Sequence, residues 1–280
     1  MAREAPEDPY AGLAPEDRLL KKRPPSLDLT DEEEPEPAAL RERALMAEDA
    51  ARGVPGITNS EGGGASSGRS QVALATSHGF AGAYAGTNHA TWASVLAGSG
   101  SDMQRDHASH SARHLRDLDH ADAVGARAGQ RAVARLNPVK VGSGVMPVIF
   151  DPRIGSSLLG HLISGIVGPA IARRSSFLLD QLGEAVFDSA VTIIDDPLRP
   201  RGLRSKPFDG EGLPTRTKAL IDDGKLVTWV LDLASARQLG LTSTGNASRG
   251  TGSPPGPGTT NTYLEAGTLT PEVLIADIEE

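Results

Sequence analysis

The sequence predicts an α+β fold: an N-terminal helix with an antiparallel sheet, then a β-rich C-terminal unit containing one core helix. Three observations carry this expectation. Two stretches with helical periodicity, Ala38–Arg52 and Ala121–Leu136, flank a run of short apolar segments separated by glycines. Asn137-Pro138 then interrupts the chain, because the residue before a proline is driven out of the helical region. Beyond it a single apolar stretch of helical spacing, 150–178, lies among strand-like segments and a hairpin signal. The expected units are residues 1–137 and 138–280.

A chain of 280 residues suffices for one large or two modest domains. With 38% hydrophobic residues and a mean hydropathy of -0.26, it has the composition of a soluble globular protein. A formal charge of -8 and a pI near 5.4 argue against a general nucleic-acid or anionic-membrane surface. There is no cysteine, hence no disulfide framework, thiolate ligand or thiol nucleophile. The Met1 end has no apolar core of a signal peptide, so the cytoplasm is the expected compartment.

Residues 1–37 are acidic and broken by prolines, and read as exposed loop with short helical turns. Asp28-Leu29-Thr30 before the acidic run Asp31–Glu34 has the form of a helix start. In Ala38–Arg52, Leu40, Ala44, Ala47 and Ala51 line one side, and Gly53 and Pro55 close the helix. Strands are expected near 68–76, 79–86 and 90–98, with Gly62-Gly63-Gly64 in a loose loop. That glycine run lacks the lysine of a phosphate-binding loop. His107, His110 and His114 are spaced by three and four, so on a helix they would share a face able to hold zinc or nickel. The alternative is a strand end and loop, then a polar helix from near Ser111 with its histidines in water. Arg105, Arg113 and Arg116 nearby disfavour a dication. In the next helix Ala121, Ala128, Ala132 and Leu136 point inward, and Asn137-Pro138 ends it.

In the second half, Gly144–Phe150 reads as a strand with Val148, Ile149 and Phe150 buried. The core helix follows, capped by Ser156 or Ser157, with Leu158, Leu159, Leu162, Ile163, Ile166, Val167, Ala170 and Ile171 as its stripe. Gly168-Pro169 should interrupt it, and His161, Pro169 and its glycines make it unfit to span a membrane. A short strand is expected at 177–183 and another at Ser189–Asp195. The loop 198–215 mixes Arg199, Arg201, Arg204 and Lys206 with Asp209 and Glu211, beside Asp196. It reads either as an ion-paired loop packed on its own sheet or as the wall of a cavity or interface. Thr217–Ile221 and Lys225–Leu231 flank an Asp-Gly hairpin turn, and Leu233–Leu239 is a short helix ended by Gly240. By composition alone, 242–265 is a flexible glycine- and proline-rich linker. Thr270-Pro271-Glu272 starts a last helix running into Glu279-Glu280.

Six blocks, in order and with compatible spacing, resemble the PmbA/TldE family: RSQVALATSHGFAGAYAGT (69–87), LNPVKVGSGVMPVIFDPR (136–153), SLLGHLISGIVGPAIARRSSFL (157–178), TIIDDPLRPRGLRSKPFDGEGLPTRTKALIDDG (192–224), LDLASARQLGLTSTGNASRGTG (231–252) and TNTYLEAG (260–267). The resemblance implies the partner half of a TldD/TldE peptidase, a zinc-dependent assembly of the bacterial cytoplasm that trims peptides and unfolded segments. The zinc helix of HExxxH type belongs to the TldD half. At the matching place this chain has Gly160 and Gly165 for the histidines and His161 for the glutamate, so no catalytic or metal-binding residue carries over. The implied cofactor is zinc on a TldD-like partner and none on this chain. The implied ligand is a peptide, with neither nucleic acid nor membrane as a partner. The resemblance also implies that 242–265 is an ordered loop over the cavity, where Arg249, Asn261 and Tyr263, with Asp209 and Glu211 of the long loop, are candidate substrate-binding residues. It further implies family members that begin earlier and continue past residue 280. A second reading is a regulatory protein acting on a toxin–gyrase system without a peptidase role, and a stand-alone hydrolase lacks both a GxSxG elbow and an HExxH helix.

Overall fold

Small residues let the first helix pair approach closely. A computed structural model describes residues 6–276 and 278, and resolves two units: 28–72 with 84–144, and the chain up to Leu27 with 73–83 and everything from Val145. In the first unit, α1 (Pro37–Arg52) packs on α2 (Ala121–Ala134). A side chain at Gly125 would strike the Ala47 carbonyl, and one at Gly129 would lie 2.8 Å from the Ala51 carbonyl. The pair covers one face of a three-stranded sheet of order β1 (Ile57–Ala75), β2 (Ala81–Ala97), β3 (Gln104–Ala112). Ala47, Ala51, Ala93, Val95, Ala97, Ala108, Val124, Ala128 and Ala132 make the core between them. β2 and β3 are antiparallel, with Trp92 opposite Ser109.

Four expectations are corrected in this unit. The glycines do not split the sheet into three short strands, and Gly62-Gly63-Gly64 lies within β1 rather than in a loop. A side chain at Gly63 would meet the Ala44 carbonyl of α1, and one at Gly64 would meet the Trp92 indole, so the run serves close packing on both faces. Asp28-Leu29-Thr30 does not start a helix. This segment is non-helical, with Thr87 N–H donating to Leu29 O at 2.9 Å, and α1 begins only at Pro37. His107 and His110 lie on a strand, three residues apart and therefore on opposite faces. A polar helix from Ser111 does not form either.

In the second unit an antiparallel sheet has the order β6 (Lys225–Leu226), β5 (Lys218–Asp222), β4 (Ile193–Asp195), β9 (Thr262–Leu264). Its core joins Ile193, Leu220, Ile221 and Leu226 to Leu162 and Ile166 of α3 (Pro152–Ile166), Ile171 of α4 (Gly168–Ala172) and Ala236 of α5 (Leu233–Leu239). The helix breaks as expected: Val167 leaves helical geometry and bridges Val230, and Gly168 N–H donates to Val230 O at 2.9 Å. The cap is Asp151, whose Oδ1 accepts from Arg153 N–H at 2.9 Å, not Ser156 or Ser157. Asp223 (φ 46°) and Gly224 (φ 78°) form the expected turn between β5 and β6. Gly240, with φ 66°, ends α5. The 242–265 stretch folds back on itself through β7 (Ala247–Ser248) and β8 (Gly256–Pro257).

Two strands fail. Gly144–Phe150 has no strand partner, and Val148 and Phe150 are 65% and 49% exposed. Pro147 in its middle removes a ladder donor. The 177–183 stretch is a series of turns, and Ser189–Asp195 is strand only from Ile193. Thr270 Oγ1 accepts from Val273 N–H at the start of α6 (Pro271–Ala276), while Glu279 and Glu280 lie outside the described residues. No helix among the described residues is long and apolar enough to cross a membrane.

Candidate functional site

Strand alternation turns Asp195, the last residue of β4, into the interior, where it is fully buried. Its Oδ1 accepts from Thr260 N–H at 2.6 Å and Thr260 O–H at 2.7 Å, and its Oδ2 from Asn246 Nδ2 at 2.8 Å. Lys218, opposite Asp195 in the β4–β5 register, donates from Nζ to Thr244 O at 2.7 Å and Asn246 Oδ1 at 2.5 Å. Burial pulls the Lys218 ammonium down to about 8 against the attraction of Asp195. This relay fixes Thr244, Asn246 and Thr260 to the end of β4 and the start of β5.

The long loop 198–215 is organised by its own carboxylates. Asp209 is buried, accepting at Oδ1 from Glu211 N–H and Leu213 N–H, both at 2.9 Å, and at Oδ2 from Ala247 N–H at 3.1 Å. Burial raises the Asp209 pKa although the three amides oppose it. Glu211 Oε2 accepts from Leu233 N–H at 3.0 Å, at the first turn of α5. Burial and then the neighbouring Asp209 push Glu211 up to about 7. Lys206 Nζ donates to Ala247 O at 2.8 Å, and burial lowers its pKa. Phe208 meets Phe80 edge to face at 5.0 Å, closing the apolar side.

Of the five candidate residues, Asp209 and Glu211 therefore face inward onto backbone amides. Asn261 is half-buried: Nδ2 donates to Asp196 O at 2.7 Å and Ser205 Oγ at 2.8 Å, and Oδ1 accepts from Arg204 N–H at 2.9 Å. Tyr263 on β9 is half-buried with the Arg199 guanidinium 5.7 Å over its ring, and Arg249 is exposed just beyond β7. The structure brings Asn261 and Tyr263 together with Arg204 and Arg199. It places Arg249 beside Gly210, whose N–H donates to Ala247 O at 2.8 Å. Sequence reasoning missed Asp195, Lys218 and Asn246, whose bonds to one another and to Thr260 span 28 to 65 residues of chain. The single signal was Asp195-Asp196 closing an apolar strand.

Helix α3, expected from the resemblance to stand where a zinc helix would, offers no set of zinc ligands among the described residues. Gly160 and His161 are exposed, and a side chain at Gly165 would lie 3.0 Å from the Phe177 ring, so one imidazole stands alone there. His107, His110 and His114 are also separated. His107 is exposed, while His110 Nδ1 accepts from Asp119 N–H at 2.9 Å. His114 is buried, with Nε2 3.1 Å from Asp28 O and Nδ1 3.7 Å from Asp31 Oδ1. Burial would raise the Asp31 pKa, but the Leu115 and Glu33 amides, then His114 and His89, bring it below the usual carboxylate value. Among the described residues no group of three His, Cys, Asp or Glu is disposed to hold a metal.

Two family models match the chain: the PmbA/TldA metallopeptidase central domain over residues 30–136 and the PmbA/TldA metallopeptidase C-terminal domain over residues 143–280. The Metalloprotease PmbA of Escherichia coli is 40% identical over 248 residues, 88% of this chain and 55% of the relative. A TldD homolog of Haemophilus influenzae is 32% identical over 153 residues, 54% of this chain and 32% of the relative. Among solved structures, TldE of Thermococcus kodakarensis matches with a TM-score of 0.84 at 25% identity, covering 99% of this chain and 62% of that one. A Bacteroides thetaiotaomicron protein described as a candidate modulator of DNA gyrase matches with a TM-score of 0.89 at 27% identity, covering 99% and 61%. The chain thus spans about half the length of the curated relatives it matches. Taken with the fold, these matches mean that the chain belongs to the PmbA/TldD family of metalloprotease-like proteins.

Proposed function

We propose that this chain is the non-zinc subunit of a TldD/TldE-like peptidase of the cytoplasm, which degrades or matures peptides and unfolded segments. Its part is to shape the chamber and hold a zinc-bearing, TldD-like partner. The observation that carries the reading is the Gly160-His161 and Gly165 pattern on α3: a helix at the place of the zinc helix with one exposed imidazole and no carboxylate beside it. Hydrolysis would use water activated on the partner's zinc. On this chain Tyr263, Arg249 and the loop 198–215 would face the peptide, with Asn261, Asp209 and Glu211 holding the loop in place. The test is reconstitution with a TldD-like subunit. Peptide cleavage should require both chains and vanish with a chelator. Stoichiometric zinc together with proteolysis in a homogeneous preparation of this chain alone would overturn the proposal. The gyrase modulator description of a structural neighbour favours a second reading, regulation of a toxin–gyrase system. A tight complex with gyrase and no cleavage alongside any TldD-like chain would select it.

A further inference from the structure

Charges that alternate along the loop 198–215 in sequence are sorted by the fold. The two carboxylates of the loop are turned inward onto hydrogen-bond donors of the chain, Asp209 onto three backbone amides and Glu211 onto Leu233 N–H, while half-buried Asp196 accepts at Oδ1 from Leu198 N–H at 3.1 Å and from the exposed Thr217 O–H at 2.6 Å. Four arginines are left outside. Arg199, Arg204, Arg216 and Arg249 are all exposed, and none has a carboxylate within ion-pair distance among the described residues. The first two share one surface. Arg199 covers the Tyr263 ring, and Arg204 N–H is bound by Asn261, two residues from Tyr263 on the same strand approach. Arg216 lies two residues before Lys218, and its charge is felt there; Arg204 acts likewise on Lys206. Arg249 follows Ala247, whose carbonyl accepts from both Lys206 and Gly210. Arg199 and Arg204 thus give a chain of formal charge -8 a cationic, partly aromatic surface beside Tyr263.

We infer that this surface binds the acidic side chains or terminal carboxylate of an extended peptide, so that the site selects acidic peptides. The inference rests on the peptide-handling role proposed above and names its substrate class. A guanidinium fork pairs a carboxylate in two parallel hydrogen bonds, and Tyr263 pre-orients the Arg199 fork. Water still reaches these arginines, so each contact is weak singly and the selectivity comes from several acting together.

The experiment compares a short fluorescein-labelled peptide rich in glutamate with its glutamine isostere, by anisotropy on this chain and by cleavage in the reconstituted two-chain assembly. The glutamate peptide should bind about tenfold more tightly at low salt, with the preference shrinking as salt is added. The double variant R199Q/R204Q should reduce that preference to about twofold while its thermal unfolding stays unchanged, since neither guanidinium is buried or ion-paired. Equal binding of both peptides alongside intact two-chain cleavage overturns this inference alone. A glutamate preference without any cleavage in the assembly leaves the cationic site standing and removes the peptidase-subunit reading. Tighter binding of single-stranded DNA than of the glutamate peptide overturns the peptide as occupant.

Discussion

Glu211 shows how one buried carboxylate makes stability depend on pH. Its folded pKa, about 7, lies above the ordinary 4.5, so the folded chain holds a proton that the unfolded chain gives up across that interval. Stability must therefore fall as pH rises from about 4.5 to about 7, and level off above it. The full shift corresponds to about 3 kcal/mol at most. Glu211→Gln keeps an acceptor for Leu233 N–H and removes the titration. In urea unfolding followed across that range, the wild-type midpoint should decline relative to the variant. Parallel curves for the two proteins would show that Glu211 is not held in its buried place. Asp209 beside it contributes in the same direction, since burial also raises its pKa.

Helix contacts separate two kinds of glycine that look alike in sequence. Gly125 lies in α2 where a Cβ would run into the Ala47 carbonyl of α1, whereas Gly160 in α3 has nothing within 4 Å. Gly125→Val should lower unfolding free energy by about 1–3 kcal/mol through forced separation of the two helices. Gly160→Ala should raise it by up to about 1 kcal/mol, because alanine loses less backbone freedom in a helix. Thermal melts of the two variants should move in opposite directions. The helices themselves were legible: their period, the Gly168-Pro169 break and the Gly240 stop all appear where local chemistry puts them. Of the short strands, β4 was legible only in part and β9 not at all, because each has three residues and exists only through partners far along the chain. Likewise Val148-Ile149-Phe150 has the composition of a buried strand but no strand beside it.

For the molecule as a whole, the apolar residues left outside weigh on solubility more than on stability. Val139, Val141, Val145 and Val148 are 85%, 80%, 108% and 65% exposed. Replacing them gives up almost no buried area. The double variant V145S/V148S should change unfolding free energy by less than about 0.5 kcal/mol. It should also reduce concentration-dependent light scattering, as expected when an exposed apolar run is interrupted. A large loss of stability would mean that the segment is packed after all. What the amino-acid order determined by itself was local: helical stripes, the Gly53 and Gly240 helix stops, the Gly168-Pro169 break and the Asp223-Gly224 turn. Those depend on neighbours a few residues apart. The destination of each charge was decided only by the tertiary structure. Asp195, Asp209 and Glu211 found donors on distant segments while Arg199, Arg204, Arg216 and Arg249 stayed exposed, because a buried carboxylate needs hydrogen bonds and an exposed guanidinium is satisfied by water.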